Sequence, residues 1–511
     1  MTQGRVLHGT LPRMNRLTRT LLASVLSLGT PALTLHAQAP AAGDPFVKDA
    51  TKDGASPNAD KNAPWHNCLA VLEVYAIDKK DAFAVLESEG GGGARYRKVM
   101  DLAKAGKARF EILTAVTAVS GQRVVAEAID EVRYPTEFHP PELKNSIAAP
   151  TAWETRNVGD SFEFEVLLVA QAEGRFPGCT FTLVPQRVGL KEFQDIGGMA
   201  NDDVISQPQF VTQKITTSAL VHENEPFYLG TMTPTTGRGI ANGQANSEVW
   251  FAFLHAYVPG PKPEEIKPPA KPAPASSLSL EYSFYSMDRA QARDLLLGST
   301  TLNAPWEKLE GLLNAKKATM EHVSTVNTVS GQRSVTEEIQ ETRFASEYSA
   351  ESIRPSRSES TTRTVEAVPA GAKDNNGAAT TKGATTTETV STTHTDANGE
   401  RQPGGATAFE TRNAGVTIEA EPVIGPDGVS IDLSQSIQSV TNLGNLQVTG
   451  IAKRYPPTLL FETRRVTNSQ TLLLGRHQLI GTFNPPGTDG VNERQDSGRT
   501  WLVFVRATNE P

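Results

Sequence analysis

Residues 119–138 read VSGQRVVAEAIDEVRYPTEF, and 210 positions later residues 329–348 read VSGQRSVTEEIQETRFASEY. About half of the paired positions are identical, and the match runs without a gap from residues 69–138 onto 279–348. Self-similarity at a fixed spacing marks one supersecondary unit written again, so fold and function must be read for a pair. Within each version, apolar and polar residues alternate on both sides of a Ser-Gly dipeptide. Alternation interrupted by such a dipeptide predicts two strands joined by a tight turn.

Working outward, each hairpin is preceded by the same elements. A strand, LAVLEVYAID in one copy and LSLEYSFYSMD in the other, ends at Asp78 or Asp288. A helix follows over 79–86 or 289–297, then a second over 96–105 or 306–315. In the second helix of copy two, Trp306, Leu309, Leu312 and Leu313 recur at helical spacing. Downstream, TAWETRNVGDSFEFEVLL at 151–168 matches TAFETRNAGVTIEAEPVI at 407–424, now 256 positions apart, so copy two has gained 46 residues in between. CTFTLVPQRV then pairs with VSIDLSQSIQ, each after a turn (Phe176-Pro177-Gly178 and Pro426-Asp427-Gly428). Two last strands close each copy, with Trp250 and Trp501 in matching places. The fold class expected is α+β: two tandem repeats of a mainly antiparallel β module, with two short helices near the start of each.

The segments between are of a different kind. Arg13, Arg16 and Arg19 precede the apolar run 21–28, then Gly29, Pro31 and small residues, the layout of a secretory signal peptide. Cleavage is expected after Ala37, and Met14 is as good a start as Met1. Residues 38–63 read as a disordered tether, 64–258 as copy one and 278–509 as copy two. The Pro-rich stretch 259–277 favours extended polyproline II and serves as a linker. The Thr/Ser-rich insertion within 349–406 lacks the apolar residues that would offset its ordering entropy, so disorder is expected there. Beyond the signal, no apolar run approaches the ~18 residues of a membrane helix.

Lys+Arg of 49 against Asp+Glu of 57 give a net charge of −8. That balance argues against nucleic acid, whose binding needs a basic surface, and against electrostatic docking on an anionic membrane. Cys68 and Cys179 are the two cysteines. In an oxidising compartment they either pair, closing a long loop, or remain independent thiols.

Glu127, Glu131 and Arg133 recur as Glu337, Glu341 and Arg343, at even spacing and so on one strand face. Paired carboxylates can do acid-base work, but a solvated face with cross-strand charge pairs accounts for them more simply. Ile129 and Ile339 share that face. The histidines, among them His66, His139, His222, His255 and His477, show no metal-ligand spacing, and neither metal nor cofactor is expected. Residues 237–243, GRGIANG, lie between strands and open no helix, so they read as a hairpin loop rather than a dinucleotide cradle. Gly90 to Gly93 read as a flexible joint between helices. What the copies share is strand, helix and turn, which favours a scaffold over an enzyme.

The ordered blocks resemble the β-domain of the secretins, the outer-membrane ring proteins of type II and type III secretion systems. The resemblance is carried by RNAGVTIEAEPVIGPDGVSIDL at 412–433, with Gly415, Pro422, Asp427 and Gly428 in place. RRVTNSQTLLLGRHQLIG at 464–481 and WLVFVRA at 501–507 continue it. Copy one keeps Gly159 and Gly178 but has Val166 where the block has its central proline. Departures are the two divergent copies in one chain, the absence of recognisable ring-building domains ahead of them, the shortened turns LIGT and YLGT, and the absence of gate hairpins. The resemblance implies an exported, non-catalytic envelope protein of the periplasm or outer membrane. It would act as a structural or assembly component of a secretion complex, with further copies of itself or secretin-type proteins as partners. Edge strands containing Phe162, Phe164 and Val166, and Thr417, Glu419 and Glu421, are expected to carry the association, because unpaired strand backbones invite a neighbour. The alternative is a soluble periplasmic binding or scaffold protein that retains the fold without a pore.

Overall fold

The computed structural model describes residues 67–88, 90–140, 148–169, 178–199, 203–232, 247–260, 277–299, 301–350, 352–354, 400–402, 404–445, 459–485 and 498–510. The signal and tether, the 237–243 loop and His66 lie outside the described residues, as do most of the Pro-rich linker and of the insertion.

The first half runs β1 (Asn67–Asp78), α1 (Lys79–Leu86), α2 (Gly91–Lys104), β2 (Ala108–Val119), β3 (Arg123–His139), β4 (Ala149–Val169), β5 (Gly178–Met199), β6 (Asp203–Lys214), β7 (Thr217–His222), β8 (Phe227–Met232) and β9 (Glu248–Tyr257). The second half begins with β10 (Ser277–Asp288), α3 (Arg289–Leu296), α4 (Ala304–Asn314), β11 (Ala318–Val329) and β12 (Ser334–Tyr348). Short strands β13 (Ser352–Arg354) and β14 (Glu400–Gln402) come next. The chain ends with β15 (Ala406–Ile424), β16 (Ser430–Asn445), β17 (Leu459–Leu473), β18 (His477–Thr482) and β19 (Arg499–Glu510).

Two antiparallel sheets contain nearly all of these strands. The eight-stranded sheet has the order β11-β10-β19-β18-β2-β1-β9-β8. The nine-stranded sheet has the order β12-β15-β16-β17-β3-β4-β5-β6, with β7 continuing the β6 edge along β5. Each sheet therefore runs through both halves. The main core lies between the sheets, with Ala70, Leu72 and Val74 of β1 packed with Phe162 and Phe164 of β4 and Phe181 of β5. The other face of β1 meets the helices: Tyr75 and Ile77 pack with Ala82, Val85 and Val99. Alternate residues point to opposite faces of a strand, so a strand sandwiched between helices and a second sheet must be apolar throughout. That explains the nearly unbroken apolar run of β1, and burying each of its large side chains stabilises by about 1.5–3 kcal/mol.

The Asp residues that end β1 and β10 cap the following helices. Asp78 Oδ1 accepts from the Lys80 amide at 2.9 Å, and Asp288 Oδ1 from the Ala290 amide at 2.8 Å. Helix α2 begins inside the glycine run, so Gly91 to Gly93 form its first turn rather than a joint.

The repeated hairpin turn is anchored identically in both halves. The Gly121 amide donates to Val166 O at 2.7 Å and the Leu168 amide to Ser120 Oγ at 3.0 Å. The Gly331 amide donates to Pro422 O at 2.7 Å and the Ile424 amide to Ser330 Oγ at 2.9 Å. Because the acceptor is a carbonyl, valine and proline serve equally at that place. Gly159 and Gly415 lie opposite Ile129 and Ile339, with φ of 138° and 135°. A Cβ at either would collide with the carbonyl of Ala128 or Glu338, so glycine is required at both.

Two expectations are corrected. Strand β4 is not an edge: Phe162 pairs with Ala126 on one side and Pro185 on the other. Phe164 lies likewise between Val124 and Leu183, and Val166 pairs with Phe181 while its carbonyl accepts from the Gly121 amide of the turn. Strand β15 is also interior, with Thr417 between Glu337 and Gln438 and Glu419 between Val335 and Ser436, while Glu421 pairs with Ser434. Alternation reports which faces of a strand are buried, not whether it has one neighbour or two. The flanks of the insertion are ordered where described: Ser352, Ile353 and Arg354 pair with Gln402, Arg401 and Glu400.

Candidate assembly interface

The most elaborate polar arrangement joins the two halves. In the nine-stranded sheet, β17 pairs with β3 from Phe461↔Glu131 to Thr467↔Val125. In the eight-stranded sheet, β18 meets β2 at Gly481↔Val116. There Thr117 Oγ1 donates to Leu479 O at 2.8 Å, the Ala115 amide to Thr482 Oγ1 at 3.0 Å, and Asn484 Nδ2 to Leu113 O at 2.7 Å. A Cβ on Gly481 would lie 2.5 Å from the Ala115 carbonyl oxygen, so the strands approach this closely only with glycine.

Between the sheets the seam is closed by buried amides. Asn67 donates from Nδ2 to Thr471 O at 2.7 Å and accepts from the Thr471 amide at 2.8 Å. Asn468 Nδ2 donates to Thr117 O at 2.7 Å. A side-chain amide that supplies both donor and acceptor leaves no backbone group of its partner orphaned, which is what burial demands.

Two ion pairs set the register. Arg465 of β17 reaches Glu127 at 2.6 Å and Arg412 of β15 reaches Glu131 at 2.5 Å, while Thr463 Oγ1 also donates to Glu131 at 2.6 Å. The carboxylates singled out by their even spacing thus find partners in the other half. Glu337 and Glu341, on β12, remain exposed.

Helix α3 adds a third contact. Arg289 Nη1 donates to Phe110 O at 2.8 Å and Glu111 O at 3.0 Å. Arg293 pairs with Glu73, which is fully buried. Glu73 also accepts from Tyr96 Oη at 2.7 Å and lies 3.0 Å from His255 Nε2. Burial alone would raise the pKa of the Glu73 carboxyl. The hydrogen bond and charge of His255, with Arg293 and Tyr96, outweigh it and hold the carboxyl below its ordinary value. The same desolvation, with Glu73 beside them, pushes Tyr75 and Tyr96 well up. Sequence reading passed over Glu73, although it is the single charged residue between Leu69 and Ile77.

Cys68 and Cys179 come together: their sulfurs are 3.8 Å apart, unbonded and fully buried. The neighbouring thiol and burial push the Cys68 thiol well up. His477 stacks on Trp306 with ring centroids 3.7 Å apart, and burial first, then Arg506, lowers its pKa. Among the described residues no group of three or more His, Cys, Asp or Glu is placed to hold a metal.

No family profile matches this chain, and no curated protein does. Among solved structures, it is similar to the Salmonella SPI-1 type III secretion injectisome secretin InvG, at 8% identity and a TM-score of 0.22, over 64% of this chain and 87% of that one. It is similar to the type II secretion system secretin GspD of E. coli K12, at 11% identity and a TM-score of 0.15, over 37% of this chain and 47% of that one. Aeromonas hydrophila ExeD is similar at 10% identity and a TM-score of 0.15, over 37% of this chain and 46% of that one.

Proposed function

We propose that this protein is a non-catalytic, secretin-like component of a cell envelope secretion complex, exported to the periplasm or outer membrane. In this reading its two halves are divergent copies of one β module that serve as building blocks. The observation that carries it is the seam. Strands β17 and β18 of the second half add to the first hairpin of the first half, β3 and β2, in both sheets at once. A protein whose most developed polar chemistry is spent on joining like units through their sheet edges is built for assembly. The ionisable cluster around Glu73 supports this, because Arg293, His255 and Tyr96 occupy the carboxylate from the protein itself.

Fractionation of cells into soluble periplasm and outer membrane, with and without heating before electrophoresis, tests the proposal. A heat-sensitive multimer in the membrane fraction is expected. A heat-indifferent monomer confined to the soluble fraction would overturn it in favour of a soluble periplasmic scaffold.

A further inference from the structure

The seam joins unlike edges, so it leaves one of each kind bare. The second half offers β17 and β18; the first half receives them on β3 and β2. At the far ends, β11 and β12 have the receiving position, and β6, β7 and β8 have the offering position. None of these has a further strand laddered to it among the described residues, although the tip of β12 is touched by Arg133 of β3, whose Nη1 donates to Ala345 O at 3.4 Å. We propose that a second copy of this chain docks its β6–β8 edge onto β11–β12, reproducing between chains the seam seen within one. This deepens the assembly role proposed above and rests on it for the identity of the halves.

The register can be carried over residue by residue. Strand pairs on β3 have counterparts 210 positions on, in β12, and those on β17 have counterparts 251 positions back, in β6 and β7. By strand register β5 stands 252 positions before β16 (Gly159↔Val188 against Gly415↔Val440), two more than the sequence match gives, so Gln186↔Lys214 corresponds to Gln438↔Arg465 and Gly178↔His222 to Ser430↔Leu473. The ion pair Arg465–Glu127 then becomes Lys214 of one chain against Glu337 of the next. Arg412–Glu131 becomes Arg156 against Glu341. All four of these side chains are exposed and of the required sign.

Burial tells the same story. Leu113 and Ile129, covered at the internal seam, are 2% and 6% exposed, whereas their counterparts Val323 and Ile339 are 49% and 37% exposed. Met320, Val329 and Val335 are bare on the same two strands. Gly481, pressed against the Ala115 carbonyl, has its counterpart in Gly230, whose absent Cβ would meet only Ile215 Cδ1, at 3.6 Å.

The polar locks, by contrast, differ. In place of Arg293, α1 carries Phe83, 65% exposed, and in place of Glu73, β10 carries the uncharged Ser283. In place of Asn67, whose side-chain amide holds the backbone of Thr471, stands the shorter Ser277, and Leu220 takes the place of Thr471. The charged pair is thus replaced on both sides, and the bridging amide on one. The internal seam and the proposed seam thus share strand register and differ in their locks, which stops the two from interchanging. An interface between unlike surfaces does not close on itself, so docking continues chain after chain until the rotation per chain completes a ring.

The test uses the purified full chain, by native mass spectrometry and sedimentation. The wild type is expected to form head-to-tail multimers. R156E/K214E and E337R/E341R, all at exposed positions, should each weaken association by about tenfold or more through like-charge opposition. Mixing these two variants in equal amounts should restore multimers, because each then meets the other's complementary edge at both ends. A T216C/V335C variant should give a ladder of interchain disulfides on a non-reducing gel. A wild type that stays monomeric at all concentrations, a closed dimer, or failure of the mixed variants to recover overturns the inference. A monomer that still partitions with the outer membrane overturns it while leaving the proposed function standing; multimers confined to the soluble fraction do the reverse.

Discussion

Arg293 of α3 places its guanidinium on the carboxylate of Glu73, 220 positions earlier in the chain, and so pins the second half to the middle of β1. Glu73 sits in a strand buried on both faces, where an uncompensated charge is severely penalised. The cluster is therefore a clamp whose loss on one side leaves a buried charge uncompensated.

Removing Arg293 while leaving the acid buried should cost about 3 kcal/mol or more. We expect R293M to lower the midpoint of urea unfolding accordingly, and E73Q/R293M to recover part of the loss. A double-mutant cycle between the two positions should return a coupling of about 1–3 kcal/mol. A cycle that sums to zero would show that the two side chains do not act on each other.

The depressed pKa of Glu73 also gives the protein an acid limb. A carboxyl whose folded-state pKa lies below its unfolded value stabilises fully above that unfolded value. The contribution is lost as pH falls through the folded value, so the change lies below the group's ordinary 4.5. Stability against pH should therefore fall in that range for the wild type, and E73Q should have a flatter limb there. Equal slopes for the two proteins would contradict the assignment.

The juxtaposed thiols make a redox prediction. In the chain-entropy model, linking residues 111 positions apart stabilises by about 4–5 kcal/mol. The protein refolded in an oxidising glutathione buffer should lose both free thiols and gain thermal stability that dithiothreitol removes, while C68A/C179A should be indifferent to redox state. Two titratable thiols persisting after oxidative refolding would establish that Cys68 and Cys179 remain independent.

Gly159 and Gly415 offer a paired test of backbone strain. Alanine at either must hold a positive φ and meet a carbonyl across the hairpin, which should destabilise by roughly 1–3 kcal/mol. We expect similar losses for G159A and G415A in denaturant unfolding, because the two glycines face the same geometry. A neutral G159A would show that the hairpin can relax.

Much of the architecture was legible beforehand. Alternation fixed the strands around the two Ser-Gly turns, and Asp78 and Asp288 marked the places where strand gives way to helix. What could not be read was adjacency. Phe162 and Thr417 alternate just as an edge residue would, and their second neighbours arrive from the following hairpin. Glu127 and Glu131 were recognisable as one charged face, but their partners Arg465 and Arg412 come from the other half, beyond any local signal. Glu73 could have been noticed as a lone charge in an apolar strand; its partner Arg293 could not, because nothing local relates a helix to a strand so distant in sequence.

The short ladder of β13 on β14 holds the beginning and the end of the Thr/Ser-rich stretch side by side, at the far end of the β12–β15 hairpin. The ladder fixes where the chain leaves the hairpin and where it returns, so residues added or removed between those two points need not displace β12 or β15.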